Sequence, residues 1–435
     1  MEIINANIQT TIPSEWKLSQ LDLNCLRMII KGIWVFDYPL NEEKVKSSLV
    51  KLLEFYPHVA GRMNGPNEIV LNNGGIYFSN EEYHISVLSL IKQPRSFDLY
   101  KTPIKIKKLV NGKEPLMSVK IVRLKDGCLL IIHCAHVCLD GNGFFRFVKN
   151  LEQLYQNKPI QPIDLDRSNL FFDKIPSKNK AYKLMLEKGW KPVSINTLVQ
   201  YTWQKFRRIE KIVSPPIHIS EDYLSAIQKQ IEKKGISHLS KHALLSSILI
   251  KLSYKLNNFK TTTNCSLVSV IDLKGRLSSF PTSYAGNATS NITTRDFNPE
   301  NPLSDLAVII DNTIAKYLLQ NTDLLEEHVL LNIAASKYKI PFTPFDLQAM
   351  NAQKPTCLYV NNFLKFKLYD IDFGMGTPVL ILPNDLPDAL KIWPSQPDKP
   401  GINVYLRGQL GKTYNKVKNK QIWLENFFNH TAMNV

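Results

Sequence analysis

The residues best suited to chemistry lie in one short segment, Cys128 to Phe145, which reads CLLIIHCAHVCLDGNGFF. An apolar strand pattern is followed by His136, by Asp140 four residues later, and by a glycine before a helical pattern begins. Histidine titrates near neutral pH, and a side chain at the end of a strand can reach a cleft. The segment therefore predicts His136 as a general base that accepts a proton from a substrate.

Two other interpretations of this segment stay open on the residues alone. In a chain with nine histidines the spacing of His136 and Asp140 arises readily by chance, and Asp140 can simply cap the following helix. Cys134, His136 and Cys138 would share one face if the strand continued, and all three are zinc-ligand types. Structural zinc sites take ligand pairs at wider spacing, and the sequence has no second pair. We therefore expect no metal.

The patterns around this segment predict the elements that position it. Strands at 28–36, 117–124 and 128–136, with helices at 42–55 and 143–156, describe an α/β module. The second half of the chain again combines predicted helices and strands. Its predicted helices are 196–207, 222–233, 241–256 and 302–319, and its predicted strands are 266–271, 287–294, 358–366 and 402–406.

A change in composition divides the chain. Between Pro159 and Pro192 it is rich in Pro, Lys, Ser and Asn and has weak periodicity, as crossing segments and linkers do. We therefore predict an N-terminal domain over 1–165, a crossover linker over 166–195 and a C-terminal domain over 196–435.

Composition and charge limit the classes of protein. Of the 435 residues 44% are hydrophobic, which suits a globular core, and no apolar stretch approaches the roughly 18 to 20 residues of a membrane span. The N-terminus lacks a signal-peptide pattern and the six cysteines are sparse, so we expect a cytosolic protein with free thiols. The net charge of +16 favours an anionic partner. Because the basic residues are spread over many segments, a nucleic-acid-binding protein is the weaker alternative.

Several motifs resemble those of one enzyme family. HVCLDG, which begins at His136, resembles the HxxxDG motif of the BAHD acyl-CoA-dependent acyltransferases, within the superfamily that includes chloramphenicol acetyltransferase and peptide-synthetase condensation domains. DFGMG, which begins at Asp372, resembles their DFGWG signature. Four weaker matches run in the family's order: Leu18, Ser19 and Asp22 (LSxxD); Tyr56, Pro57, Ala60, Gly61 and Arg62 (YPxAGR); Asp272, Arg276 and Leu277 (DxRxRL); and Gly286, Asn287 and Ala288 (GNA).

The resemblance implies a fold and a reaction. The fold would be two chloramphenicol acetyltransferase-like α/β domains with mixed sheets and an active-site channel at their interface. His136 would take the proton of a hydroxyl or amine that attacks an acyl-CoA thioester, with no acyl-enzyme required, and Asp140 would hold the loop as structural support. A cytosolic monomer in secondary metabolism is implied, with small-molecule partners and neither nucleic acid nor membrane. The catalytic alternative is a condensation-type enzyme that uses a carrier-protein thioester.

The resemblance also implies roles for Asp372, Gly374 and Gly376, which would form a structural turn. Arg276 is the candidate partner of Asp372. The alternative for Asp372 is a carboxylate that only caps its own turn.

Cofactor and acceptor contacts follow by the same resemblance. Ser240 and Lys241 open a helical pattern similar to the family's helix near coenzyme A, although a helix-capping serine and a solvated lysine explain them equally. In relatives the strand that carries Ile33, Trp34 and Val35 lines the acceptor pocket, and its apolar character favours a hydrophobic or aromatic acceptor. The alternative is that these side chains are core.

The sequence departs from the family pattern at several places. Met375 replaces the Trp of DFGWG. Asn361, Asn362 and Phe363 stand where relatives have TSW, whose Thr and Trp lie beside the reacting carbonyl. Asn361 is therefore a possible oxyanion donor through its amide N–H, and the alternative is that both asparagines satisfy local backbone groups.

Overall fold

Two mixed β-sheets, each with six strands, organise the chain. The structure, a computed structural model, describes residues 1–7, 15–92, 101–160, 163–167, 175–206, 213–257, 265–318, 322–343, 356–383 and 390–435. The chain divides into two compact units. Unit 1 comprises Met1–Phe172, Ser278–Thr289 and Phe366–Leu386, and unit 2 comprises Asp173–Leu277, Ser290–Lys365 and Pro387–Val435. The predicted α/β class with mixed sheets is confirmed.

The elements follow in chain order. The strands are β1 (Glu2–Ile4), β2 (Glu15–Lys17), β3 (Ile29–Phe36), β4 (Arg62–Met63), β5 (Glu68–Val70), β6 (Ile76–Glu82), β7 (Met117–Arg123), β8 (Cys128–Ala135), β9 (Lys191–Pro192), β10 (Ile217–Ser220), β11 (Cys265–Asp272), β12 (Thr289–Phe297), β13 (Phe342–Thr343), β14 (Cys357–Asn362), β15 (Leu380–Leu382), β16 (Leu390–Pro394) and β17 (Gly401–Tyr405). The helices are α1 (Gln20–Leu23), α2 (Glu42–Phe55), α3 (Val87–Lys92), α4 (Ile106–Val110), α5 (Gly141–Tyr155), α6 (Lys178–Glu187), α7 (Ile195–Phe206), α8 (Glu221–Lys233), α9 (Lys241–Asn257), α10 (Leu303–Leu318), α11 (Thr322–Lys337), α12 (Gly408–Asn415) and α13 (Lys420–Met433).

The large sheet of unit 1 has the strand order β1-β6-β7-β8-β3-β15. Strands β6 and β7 pair in parallel, and the other neighbours pair antiparallel. Strands β7 and β8, both predicted, form a hairpin in which Met117 lies opposite Cys134 and Arg123 opposite Cys128. Every residue of β8 is buried, and both its edges are paired. The end of β8 is therefore a rigid support for the residue that follows it.

Helices α2 and α5 of unit 1 pack against each other. In α5 the buried residues Phe144, Phe147, Val148 and Leu151 recur at helical spacing. Burial of each such side chain stabilises the unit by roughly 1.5 to 3 kcal/mol. The prediction for α2 was right at both ends, whereas α5 begins two residues before the predicted Gly143, because Asp140 caps it.

Unit 2 is built on the sheet order β10-β17-β16-β14-β11-β12. Its three central strands β11, β14 and β16 are parallel, and β17 pairs antiparallel with both β16 and β10. Apolar side chains of α8, α9 and α10 form its main core. Strand β14 ends at Asn362, four residues before its predicted end, because a 3₁₀ turn follows at Leu364–Phe366.

The segment predicted as a linker contains more structure than its weak periodicity indicated. Residues 168–174 of it lie outside the described part, as does Arg207 at the predicted end of α7. Helix α6 forms there because Ala181 and Met185 pack with Trp190 and Leu331 in an apolar cluster. Two segments of the predicted C-terminal domain, 278–289 and 366–386, belong to unit 1, where β15 pairs with β3. No helix of the described ranges has the length and hydropathy of a membrane span.

Candidate active site

His136 directly follows the buried strand β8. Its backbone N–H donates to the carbonyl of Met28 at 2.9 Å, which continues the pairing of β8 with the chain entering β3. The residue is 8% exposed. The sheet therefore fixes the backbone of His136.

Asn287 fixes the orientation of the imidazole. Its Oδ1 lies 3.0 Å from Nδ1 of His136. Its Nδ2 donates to Oδ1 of Asp22 at 2.9 Å and to the carbonyls of His136 and Val137 at 2.8 and 3.2 Å. Because all three partners of Nδ2 are acceptors, the atom facing His136 is the amide oxygen, and Nδ1 of the imidazole must donate. The lone pair of the neutral ring is therefore on Nε2, the nitrogen that a general base needs.

A buried carboxylate holds Asn287 in turn. Asp22 is fully buried and accepts from the backbone N–H of Ser19 at 2.7 Å and from Nη2 of Arg167 at 2.5 Å. The Arg167 guanidinium also stacks over the Trp16 ring at 4.3 Å. The LSxxD segment at the start of the chain thus supports the His136 ring through Asn287.

Asp140 supports the loop that carries His136. Its Oδ1 accepts from the N–H of Gly143 at 2.8 Å and caps α5, and its Oδ2 accepts from the N–H of Ala288 at 2.9 Å. Glycine is required at 143 because a Cβ there would lie 2.7 Å from the carbonyl oxygen of Ala285. The carboxylate therefore joins the HxxxDG loop to the GNA segment.

The pKa of His136 reflects opposing influences. Burial lowers it, but the neighbouring Cys25 sulfur, with a contribution from Asp140, outweighs burial and raises the pKa to about 9.

The DFGMG segment forms a tight turn in unit 1. Oδ1 of Asp372 accepts from the N–H groups of Gly374 at 2.6 Å and Gly376 at 3.0 Å. Both glycines have positive φ, 101° and 119°, which side chains with a Cβ rarely adopt. Partial burial raises the pKa of Asp372, but the backbone N–H groups hold it below its usual value. Met375, at the position of the family's Trp, is 68% exposed.

Arg276, the predicted partner of Asp372, is bonded within its own turn in unit 2. Its Nη1 donates to the carbonyl of Asp272 at 2.7 Å, while the Asp272 carboxylate accepts from Nζ of Lys365 at 2.7 Å. Pairing of Arg276 with Asp372 stays a prediction.

The candidate coenzyme-binding residues lie at the start of α9. Oγ of Ser240 accepts from the N–H of Ala243 at 3.2 Å, as a helix-capping serine does. Nζ of Lys241 lies 3.2 Å from both carboxylate oxygens of Glu221. A phosphate would therefore have to compete with Glu221 for Lys241. Their role in coenzyme binding stays a prediction.

The two asparagines at the end of β14 differ in their surroundings. Asn361 lies opposite Lys391, is half-buried, and its side chain makes no hydrogen bond within the described residues. Asn362 accepts from the N–H of Leu364 at 3.0 Å, and its Nδ2 lies 3.4 Å from Nδ1 of the half-buried His242. Burial lowers the pKa of His242 to about 4, so this histidine is neutral. Asn362 has a local structural role, and the Asn361 amide is available for another partner.

The three predicted acceptor-pocket residues are in the core of unit 1. Ile33, Trp34 and Val35 are at most 1% exposed, and Trp34 packs on the rings of Phe144 and Phe145. Their contact with an acceptor stays a prediction.

All six cysteines are free thiols, and Cys25 is the one that is not buried. Within the described residues, no group of three or more His, Cys, Asp or Glu side chains is arranged to hold a metal ion.

A family model described as the transferase family matches residues 1–411. The chain belongs to the BAHD acyltransferase family. Acyltransferase GLAUCE of Arabidopsis thaliana is 23% identical over 258 residues, which is 57% of this chain and 57% of that relative. Tryptamine hydroxycinnamoyltransferase 2 of Oryza sativa subsp. japonica is 22% identical over 417 residues, 90% of this chain and 89% of the relative. The predicted family and enzyme class, an acyltransferase of BAHD type, are confirmed.

Solved structures share the fold of this acyltransferase. Vinorine synthase superposes with a TM-score of 0.70 at 17% identity and covers 97% of both chains. TRI101 of F. sporotrichioides, solved with coenzyme A and T-2, has a TM-score of 0.67 at 14% identity and covers 94% of this chain and 98% of its own. The chloramphenicol acetyltransferase-like fold is confirmed.

Sequence reasoning assigned no role to Asn287, Asp22 or Arg167, although the first two belong to motifs that it identified. Asp22 and Asn287 belong to LSxxD and GNA, two polar motifs whose residue types did not by themselves indicate a role in the site. Their supporting role is evident only from the structure, in which Nδ2 of Asn287 lies 2.9 Å from Oδ1 of Asp22.

Asn287→Ala should lower kcat of the acyltransferase about 100-fold, because the imidazole loses the acceptor that fixes its ring and tautomer. KM for the acyl donor should change little, since Asn287 acts through His136. Steady-state kinetics with a thermal melt separates this effect from unfolding. A variant whose activity falls only in proportion to its folded fraction would contradict the positioning role.

Asp372→Ala should lower the free energy of unfolding by about 1 kcal/mol, because two backbone N–H groups lose a charged acceptor. Folding lowers the Asp372 pKa, so its contribution is present above the unfolded-state pKa and is lost as pH falls through the folded-state value. Urea unfolding at neutral and acid pH measures the loss of stability and its pH dependence. Asp370→Ala, which removes an exposed carboxylate, is the matched control.

A double-mutant cycle of Asp372→Ala with Arg276→Ala tests the pairing of these two residues. Strict additivity of the two losses of stability would exclude it.

Proposed function

We propose that the protein transfers an acyl group from acyl-CoA to a hydroxyl or amine of a small hydrophobic or aromatic acceptor, with His136 as the general base. One observation carries this proposal: the hydrogen bond between Nδ1 of His136 and Oδ1 of Asn287, which leaves the Nε2 lone pair available. The protein would act as a cytosolic monomer in secondary metabolism.

The proposed acyl transfer follows from the tautomer of the His136 imidazole. Nε2 of His136 takes the acceptor's proton as the acceptor oxygen or nitrogen attacks the thioester carbonyl. The tetrahedral oxyanion then collapses, the bond to sulfur breaks, and the coenzyme A thiolate takes the proton from the imidazolium. Asn287 keeps the ring in place in both states, because its oxygen accepts from Nδ1 whether or not Nε2 is protonated.

Separate observations support the proposed class of acyl donor and the proposed class of acceptor. TRI101, which shares the fold, was solved with coenzyme A, and the net charge of +16 suits a phosphorylated donor. Relatives are named for acyl transfer to tryptamine and for vinorine synthesis. These names favour an acceptor with an aromatic ring system.

A screen of acyl-CoA thioesters against alcohols and amines tests the proposal. Acetyl-CoA, benzoyl-CoA and p-coumaroyl-CoA are each incubated with an acceptor pool that includes tryptamine, and free thiol and product mass are measured. We expect acceptor-dependent thiol release with matching product in wild type, and a rate at least about 100-fold lower in His136→Ala. Thiol release that is equal in both proteins would exclude His136 as the base.

The pH dependence of transfer should follow the His136 pKa. Only the neutral imidazole accepts a proton, so kcat/KM should rise with pH until about 9 and then level off. Below that pKa it should fall about tenfold per pH unit. Cys25→Ala removes the group that raises the pKa, so its acid limb should move to lower pH. An acid limb at the same pH in both proteins would contradict the coupling of the two side chains.

A further inference from the structure

Arg167 belongs to a short segment that is fastened beside the GNA motif. The N–H of Asp164 donates to the carbonyl of Ser283 at 3.1 Å, and the carbonyl of Asp164 accepts from the N–H of Ala285 at 3.0 Å. The GNA motif begins at the residue after Ala285. The two hydrogen bonds therefore hold the segment of Arg167 against the segment that carries Asn287.

Three groups contact the guanidinium of Arg167, whose side chain is mostly buried. Nη2 donates to Oδ2 of Asp22 at 2.5 Å, Nη1 donates to the Tyr284 hydroxyl at 3.1 Å, and the guanidinium lies 4.3 Å from the centre of the Trp16 ring. A Cβ at Gly286 would collide with the Tyr284 hydroxyl and lie 3.1 Å from Nη1 of Arg167. The glycine of GNA therefore leaves the space that the tyrosine and the arginine occupy.

Arg167 supplies a countercharge to a buried carboxylate. The Asp22 side chain is fully buried, and its salt bridge to Arg167 is 2.5 Å long. A carboxylate held out of water without a countercharge is unfavourable and takes up a proton instead. The salt bridge therefore keeps Asp22 ionised.

The ionised Asp22 fixes which way round the Asn287 amide lies. A carboxylate only accepts hydrogen bonds, so Nδ2 of Asn287 must face Oδ1 of Asp22, and Oδ1 of Asn287 then faces Nδ1 of His136. A protonated Asp22 is able to donate to an amide oxygen, which allows the amide to turn over and present Nδ2 to His136. Nδ1 would then accept, the ring proton would lie on Nε2, and Nε2 would lose the lone pair that a base needs.

Two backbone carbonyls oppose this rotation of the amide. The carbonyls of His136 and Val137 also accept from Nδ2 of Asn287, at 2.8 and 3.2 Å. Loss of the Asp22 charge therefore weakens the preference for the observed orientation without abolishing it. A hydrogen bond to a charged partner contributes enough free energy to change such a preference by about tenfold or more.

We propose that Arg167 is a positioning residue for the His136 base. It keeps Asp22 ionised, and the ionised Asp22 makes the Asn287 amide hold the imidazole with its lone pair on Nε2. The link from this orientation to the rate of acyl transfer rests on the proposed function, whereas the ionisation of Asp22 does not.

The ionisation of Asp22 is measured first, because it needs no substrate. Arg167→Met replaces the guanidinium with a neutral side chain that can still lie over the Trp16 ring. Infrared spectra of the full-length protein labelled with carbon-13 in its aspartates are recorded at pH 6, where an ordinary aspartate is ionised. A band of a protonated carboxyl group should appear in Arg167→Met and be absent from wild type and from Arg167→Met/Asp22→Asn. A spectrum of Arg167→Met without this band would overturn the proposal.

The rate of acyl transfer is measured next. In Arg167→Met kcat should fall about tenfold or more with KM for the acyl donor nearly unchanged, because Arg167 acts on the orientation of the base. Arg167→Lys keeps the charge and should recover part of the lost rate. Arg123→Met removes an exposed arginine of β7 and is the matched control, which should retain full activity. Equal losses in Arg167→Met and Arg167→Lys would count against the role of the charge and overturn the proposal.

The double variant Arg167→Met/Asp22→Asn tests whether the two residues act as one unit. If Asp22 is already neutral in Arg167→Met, the added Asp22→Asn should cost no further activity. The double variant should also melt no lower than Arg167→Met, because no buried charge is left unpaired. A further loss of about tenfold in kcat would mean that Asp22 acts without Arg167 and would overturn the proposal. If wild type transfers no acyl group to any acceptor, the proposed function fails, and the infrared spectra still decide the charge of Asp22.

Discussion

His136→Ala is expected to lower the rate of acyl transfer by about two to four orders of magnitude, the contribution of a positioned general base. The acceptor hydroxyl or amine would have to lose its proton to water as it attacks. The effect should fall on kcat, because the imidazole gives little binding energy to either substrate.

Folding should survive this substitution. The backbone of His136 is held by Met28, and Asp140 keeps its hydrogen bonds to Gly143 and Ala288. His84→Ala, which removes a highly exposed histidine, is the control and should retain full activity. Added imidazole should restore part of the rate to His136→Ala. A folded variant that keeps more than about a tenth of wild-type activity would rule out His136 as the base.

Asn361→Ala is expected to lower kcat about 100-fold or more, with the apparent donor affinity nearly unchanged. A single oxyanion donor stabilises the transition state by roughly 2.7 to 4 kcal/mol. Asn361 stands where relatives carry a Thr, and its amide has no hydrogen-bond partner within the described residues. Phe363, at the position of the family's Trp, has no N–H to offer and packs on Trp393.

Two variants make this test specific. Asn361→Thr restores a hydroxyl donor at the same position and should recover much of the lost rate. Asn362→Ala should lower stability more than kcat, because Asn362 bonds the N–H of Leu364 and contacts His242. Equal small effects of both alanine variants on kcat, or a larger loss at Asn362, would mean that another group holds the oxyanion.

The sequence predicted the elements with strong local patterns. The hairpin of β7 and β8 and helices α2 and α5 follow from periodicity alone, and the motif HVCLDG identified His136. Helix α6 was missed because its pattern is weak and its stability comes from packing with Leu331 and Ala334. The pairing of β15 with β3 joins residues far apart in the chain, which local patterns cannot indicate.

The residues that support the candidate site could not be predicted from local patterns for the same reason, because they are far apart in the chain. Asn287 has a role only because the fold brings its amide between His136 and Asp22. The position of Cys25 likewise depends on the turn that joins α1 to β3. Sequence reasoning identified the candidate base, whereas the residues that orient it required the structure.

The most direct test of the account is the tautomer of His136 in the folded protein. Nitrogen NMR of protein labelled in its histidines, with His136→Gln to assign the signals, distinguishes the protonated ring nitrogen from the one with a lone pair. Spectra above pH 10, where the ring is neutral, should show the proton on Nδ1 and the lone pair on Nε2. A neutral ring with its proton on Nε2 would contradict the account, because that nitrogen would then have no lone pair to accept the acceptor's proton.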